Sequence, residues 1–172
     1  MPKQTEKNKT RLTIVKAEKS HSKFLWECRN EESSRNMFEN TEYVRWEEHE
    51  QWMTRSLLNE NRYLYIGIIE KDIPFGLVRF DKEEDEKTKY IVSINLAKEW
   101  RQMGLAKPLL IQATNQASTE LKKTIVIIAR IKKQNTASIE LFKSTKYKEV
   151  KQYDSEYRRY EKKIIYDQEE RS

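Results

Sequence analysis

A single cysteine, Cys28, and two histidines, His21 and His49, are all that 172 residues offer of those two types. One thiol excludes an internal disulfide and any cysteine-rich zinc site. Two imidazoles are too few for the usual histidine-built centre, so no metal is expected. No apolar run approaches the roughly 20 residues that a membrane-spanning helix needs. The longest, 124–129 (TIVIIA), is strand-sized, and no membrane partner is expected. The opening MPKQTEKNKT is basic but has no apolar stretch, so it does not read as a secretory signal, and a reduced cytoplasm is the expected compartment. What the chain has in plenty is charge. Lys and Arg total 34 against 28 Asp and Glu, a net +6 spread along the chain without a basic block. An excess of that kind speaks mainly of solubility, and nucleic acid is not the expected partner. Mean hydropathy is −0.97, yet four Trp, nine Tyr and five Phe supply enough apolar volume for one core.

The chain reads as one domain over 11–166, between polar tails at 1–10 and 167–172. Segment 11–17 (RLTIVKA) has strand character. Segment 18–29 places Phe24, Leu25 and Cys28 at helical spacing. A short helix is expected within 30–41, and a longer one over 42–59 with Val44, Trp52, Met53 and Leu57 as candidate buried positions. The period then changes. Segments 62–71 and 73–80 flank Asp72 as a hairpin, and 81–87 (DKEEDEK) reads as the next, solvated turn. In 88–96 (TKYIVSINL), Tyr90, Val92, Ile94 and Leu96 share one face. A helix over 104–121, an apolar strand over 124–131, a helix over 135–144, and strands over 147–153 and 157–165 complete the series. This is an α/β order, and the strand–helix–strand passage implies at least one parallel pairing with a right-handed crossover.

Chemistry concentrates where the strand ending at Leu96 turns into a helix through Arg101-Gln102-Met103-Gly104-Leu105-Ala106-Lys107. A helix start offers unpaired N–H groups and the positive end of its dipole to an anion such as a pyrophosphate. Gly104 and the small Ala106 would let backbone approach phosphate oxygens, and Arg101 and Lys107 would add charge. This Arg-x-x-Gly-x-Ala run resembles the pyrophosphate loop of the GNAT acetyltransferase superfamily. The element order over about 11–165 resembles that family as well. So does Asn135-Thr136-Ala137-Ser138-Ile139-Glu140-Leu141-Phe142, which is similar to its Asn-x-x-Ala/Ser-x-x-Leu-Tyr helix.

The resemblance implies a mixed, mostly antiparallel sheet of about seven strands with helices on both faces, and acetyl-CoA as acyl donor. The pyrophosphate would lie on the N–H groups from Gln102 to Lys107, and the pantetheine arm along the backbone of Ile94 to Leu96. An N–H of Ile94 or Leu96 would hold the thioester oxygen as charge develops. Asn135, Ser138 and Phe142 would line the other side. Two positions depart from the family pattern. Phe142 stands where many members carry a thiolate-protonating Tyr, and Tyr90 stands where some carry a Glu base. Water relayed by Ser93 or Asn95 is the substitute base path.

On the acceptor side, Arg29-Asn30, Arg35, Trp46, His49 and Trp52 resemble members that acetylate a nucleotide-linked 4-amino sugar in pseudaminic-acid-type glycan synthesis. His49 would accept a proton, arginines would hold the diphosphate, and Trp would stack on the base. Taken singly, Trp46 and Trp52 also read as partly buried helix residues, His49 as a surface residue and Cys28 as a small core residue. The implied activity is direct N-acetyl transfer to a primary amine in a ternary complex, on a small-molecule acceptor. A homodimer is compatible with it. Two other readings are acetylation of a protein N-terminus, of the ribosomal-protein type, and a non-catalytic basic module that binds nucleic acid.

Overall fold

The computed structural model describes residues 12–70, 72–151 and 154–167. The tails read at 1–10 and 167–172 lie outside the described residues except for Asp167, as do Arg11, Lys71, Gln152 and Tyr153 of the expected strands.

In chain order the elements are β1 (Leu12–Lys16), α1 (Ser22–Asn30), α2 (Glu32–Arg35), α3 (Trp46–Leu58), β2 (Arg62–Ile69), β3 (Ile73–Lys82), β4 (Lys89–Leu96), α4 (Ala106–Leu121), β5 (Ile125–Lys132), α5 (Thr136–Ser144), β6 (Lys148–Val150) and β7 (Tyr157–Ile164). Seven strands form one sheet in the order β1-β2-β3-β4-β5-β7-β6. Every pairing is antiparallel except β4 with β5.

Both faces of the sheet are covered. On one, α4 and α5 bring Leu109, Leu110, Ala113, Ala117, Ile139 and Phe142 against Val78, Phe80, Tyr90, Val92 and Leu96. On the other, Leu25 of α1 and Met53 of α3 pack on Leu64, Ile66 and Ile68. A strand buried from both sides has no polar alternation, which is why 64–69 (LYIGII) reads as an unbroken apolar run. Gly67 and Gly76 face each other across β2 and β3. A Cβ on either would stand 2.9 Å from a methyl of Leu109, so the glycine pair lets the start of α4 press onto the sheet.

Several expected boundaries move, each for a local reason. α3 begins at Trp46, because Arg45 is its N-cap and Glu48 folds back to accept from the Arg45 N–H at 3.3 Å. Val44 therefore precedes the helix. The buried stripe of α3 is His49, Met53 and Ser56, and Leu57 is exposed. β3 runs on to Lys82, because Asp81 is paired by Arg62 and Arg79 rather than solvated in a turn. α4 starts at Ala106, because Gly104 has φ +74° and cannot be helical. β6 is three exposed residues.

Candidate active site

The parallel pair that joins the two halves of the sheet is short. β4 and β5 pair at Lys89–Val126, Tyr90–Ile127 and Ile91–Ile128, and then part. Their outer neighbours hold them to the end, since β3 follows β4 to Gly76–Leu96 and β7 follows β5 to Lys132–Tyr157. The result is a V-shaped cleft of about 620 Å³ between two otherwise intact strands.

The direction of each backbone group follows from alternation along β4. Val126 N–H donates to the Thr88 carbonyl at 2.9 Å, so even-numbered residues of β4 face β5. Ala97 N–H donates to the Phe75 carbonyl at 3.0 Å, so odd-numbered ones face β3. The N–H groups of Ile94 and Leu96, beyond the last bridge at Ile91–Ile128, therefore open into the cleft. The Leu96 carbonyl is already taken, by Arg101 Nε at 3.0 Å. An extended ligand bearing amides can pair with such an edge as an added strand.

Beyond Leu96, one 3₁₀ turn at Lys98–Trp100 leads into the loop before α4. Gln102 and Gly104 both take positive φ, and a Cβ at Gly104 would meet nothing within 4 Å. The loop thus presents open backbone beside the free N–H groups of a long helix, an arrangement suited to phosphate. Gln102, Gly104, Leu105, Ala106 and Lys107 line the cleft, while Met103 is exposed on the outside of the loop.

Arg101 also lines the cleft, but its side-chain donors are bound within the protein. Its guanidinium turns away from the loop to Glu31 Oε2 at 3.1 Å, Ser33 Oγ at 2.6 Å and Ser34 Oγ. It ties the end of β4 to the α1–α2 connection, so its hydrogen bonds are spent on protein rather than offered to phosphate.

On the far wall, Asn135 caps α5 by accepting from Ser138 N–H at 3.1 Å, and Asn135, Ser138 and Phe142 line the cleft. The Phe142 ring is 3% exposed and stands edge-on to Tyr147 at 4.9 Å. The roof left no local mark in the sequence. Ser33, Ser34, Met37 and Phe38 line the cleft from above. Past them, Glu39 binds Arg130 at 2.7 Å and the Asn36 carbonyl accepts from Lys132 at 3.1 Å. The segment after α2 therefore spans from β4 to β5. Its anchors and those of α2 are 61 to 96 residues away in the chain, too far for any local pattern to reveal.

On the face toward α1 and α2, Ser93 lines the cleft opposite Arg79 of β3. Asn95 is occupied, donating to the Cys28 carbonyl at 3.0 Å and accepting from Ser34 at 3.1 Å. Tyr90 is a core residue, and burial raises its phenol further above neutrality, which leaves no base there. The expected acceptor group does not assemble in the cleft. His49 is 3% exposed and lies between Trp46 and Trp52, with ring centroids 5.9 and 5.5 Å away. Its Nε2 is 2.8 Å from the Ser22 carbonyl, and burial pulls its pKa down. That makes His49 a neutral packing residue. Asn30 spends its amide on both backbone groups of Val44, at 2.8 Å each. Trp46 stacks edge-on to Trp26 at 5.5 Å. Arg29 lies over the Phe38 ring at 4.8 Å, next to the cleft rather than in its lining. Cys28 is buried, and its thiol is pushed up to about 12 by burial first and then by Glu99.

Among the described residues no group of three or more His, Cys, Asp or Glu gathers as a metal site would, and no helix is long and apolar enough to cross a membrane.

Comparison with known proteins agrees with this geometry. Residues 11–148 match the acetyltransferase (GNAT) domain family. No curated protein matches the chain in sequence. Among solved structures, a spermidine N-acetyltransferase from Vibrio cholerae in complex with CoA and spermine superposes with a TM-score of 0.77 at 16% identity, over 90% of this chain and 95% of that one. A domain from Methanocaldococcus jannaschii gives 0.75 at 20% identity, over 90% and 99%. An uncharacterized protein from Bacillus halodurans gives 0.73 at 18%, over 88% and 83%. At these identities the superpositions speak for the fold. The family match speaks for the chemistry, and the open edge of β4 and the open loop at Gly104 fit the donor which that chemistry uses. The chain belongs to the GNAT acetyltransferase family, an acyltransferase whose donor is acetyl-CoA.

Proposed function

We propose that residues 11–166 act as one catalytic domain that acetylates the primary amine of a nucleotide-linked amino sugar, within a ternary complex. The observation that carries the donor half is the parting of β4 from β5 after Ile91. When bound, acetyl-CoA supplies an activated acetyl group. The N–H groups of Gly104 to Lys107 hold its diphosphate, and Asn135, Ser138 and Phe142 wall the arm. The Ile94 or Leu96 N–H would hold the thioester oxygen and, as a preorganised dipole, would stabilise negative charge as it forms.

Proton removal from the amine falls to water held by Ser93, the cleft hydroxyl on the acceptor side whose neighbours Tyr90 and Asn95 are otherwise engaged. The acceptor half is supported by charge. Arg79 stands across from Ser93 in the sheet, and a diphosphate suits that surface better than a polyamine does.

The test is a thiol-release assay run in parallel on UDP-linked amino sugars, spermidine, aminoglycosides and N-terminal peptides. The fastest turnover is expected on a UDP-linked 4-amino-4,6-dideoxy sugar that already carries an N-acetyl group. Faster turnover of a peptide or of spermidine overturns this acceptor.

A further inference from the structure

Three arginines of α1, α2 and β3 each have a donor left over, although Arg29 Nη2 donates to the Asn40 carbonyl at 2.8 Å. Arg29 extends from α1, Arg35 from α2 and Arg79 from β3. Each keeps a buried nitrogen without a hydrogen-bond partner: Nη1 of Arg29, Nε of Arg35 and Nε of Arg79. Arg79 Nε does lie 2.9 Å from Asp81 Oδ2, but at an angle that leaves its N–H unused, and Asp81 is shared with Arg62. Among the described residues no ion pair reaches Arg29 or Arg35. Burial first, and then repulsion from Arg35 and Arg79, lowers the Arg29 pKa, so both of those charges act on Arg29.

Gathering like charges and leaving their donors dry opposes folding. A bound oxyanion removes both penalties at once. The cluster also adjoins the cleft at two points, because Arg29 stacks on Phe38 at 4.8 Å and Arg79 faces Ser93, and both Phe38 and Ser93 line it.

We infer that Arg29, Arg35 and Arg79 form an anion subsite that holds a phosphate-type oxyanion of the acceptor while its amine reaches the cleft at Ser93. The inference rests on the acceptor reading above and gives it a place in the structure. It makes the enzyme select amines that carry a compact negative group and reject polycations, whose charge would meet three arginines.

The experiment is calorimetric titration of the CoA-saturated protein, so that the donor loop is filled, with inorganic pyrophosphate, with UDP and with spermidine. Pyrophosphate and UDP should bind and spermidine should not. Arg35→Gln and Arg79→Gln should each weaken anion binding about 10–100-fold, the loss of one charge-assisted contact, while CoA affinity stays within twofold. Arg35→Gln should not lower the thermal midpoint without anion, since it removes an unpaired charge. A lowered midpoint with unchanged anion affinity would mark a structural arginine and overturn the inference. No binding of pyrophosphate or UDP to the parent, or equal binding by parent and both variants, overturns it as well. Anion binding lost in the variants, together with no turnover on any sugar nucleotide, keeps the subsite and removes only the acceptor reading.

Discussion

Arg101 Nη2 and Glu31 Oε2 lie 3.1 Å apart and join the loop before α4 to the connection between α1 and α2. The pair is partly buried, with side chains 29% and 21% exposed, and is reinforced by Ser33 and Ser34. Coupling should follow. In a double-mutant cycle of Arg101→Ala and Glu31→Gln, unfolding by urea should give an interaction energy of roughly 1–3 kcal/mol. Simple additivity would mean that the two groups do not act together.

The same carboxylate sets an acid limit. The Ser33 hydroxyl, then the Ser34 and Ser33 N–H groups and Arg101, hold the Glu31 pKa at about 2, against the opposing effect of burial. A depressed carboxylate stabilises the fold fully above its unfolded pKa, about 4.3, and loses that contribution as pH falls toward 2. Glu31→Gln should therefore lower stability at pH 7 and flatten its decline between about pH 4.5 and 2. An unchanged acid limb in urea midpoints measured against pH would contradict this.

His49 belongs to stability rather than to catalysis. Its ring is buried, and its Nε2–H reaches the Ser22 carbonyl. His49→Ala should cost on the order of 3 kcal/mol through lost packing and an unpaired carbonyl. The turnover of the folded fraction should stay within about threefold, or about 0.6 kcal/mol of barrier. Burial lowers its folded pKa, so its contribution is present above about pH 6.5 and fades as pH falls below that. A large fall in kcat with intact stability would return His49 to the acceptor site.

Phe142 fills the donor wall where it has no proton to give. Phe142→Ala should destabilise by about 3–5 kcal/mol, given its 3% exposure. Phe142→Tyr should keep acetyl-CoA affinity and either raise turnover or leave it unchanged. A stable, fully active Phe142→Ala protein would show that the ring neither packs nor borders the donor.

Cys28 is a packing residue with a thiol pushed up to about 12, so thiolate is scarce at neutral pH. Iodoacetamide should label it only at the rate of unfolding. Rapid labelling of the native protein would contradict its burial.

What the sequence made legible and what it hid divide along the range of the interactions. The loop around Gly104, the alternation of 90–96 and the capped helix at Asn135 are local patterns, and the fold they imply is the one observed. The use of Arg101 was not legible, because the Arg-x-x-Gly-x-Ala pattern names a residue type and not the Glu31 and Ser34 that capture it some 70 residues away. The burial of His49 had a readable signal, since His49, Met53 and Ser56 recur at helical spacing, but the flanking tryptophans suggested a binding group instead. Arg79 also left a trace. A lone arginine in the apolar run IPFGLVRF needs partners, and only Asp81, two residues on, is near in sequence, whereas Arg62 of β2 and Arg29 of α1 come from the fold.

The central claim is that acetyl-CoA binds through the open loop at Gly104. Its most direct measurement is a calorimetric titration of acetyl-CoA into the parent and into Gly104→Glu. The substitution points bulk and negative charge toward the diphosphate. Nothing lies within 4 Å of the new Cβ, so its structural cost is confined to the left-handed backbone at φ +74°, about 1–2 kcal/mol. The parent should bind, and the folded variant should bind at least about tenfold more weakly, a loss of 1.4 kcal/mol or more. Equal affinity in the two proteins would contradict the placement of the donor.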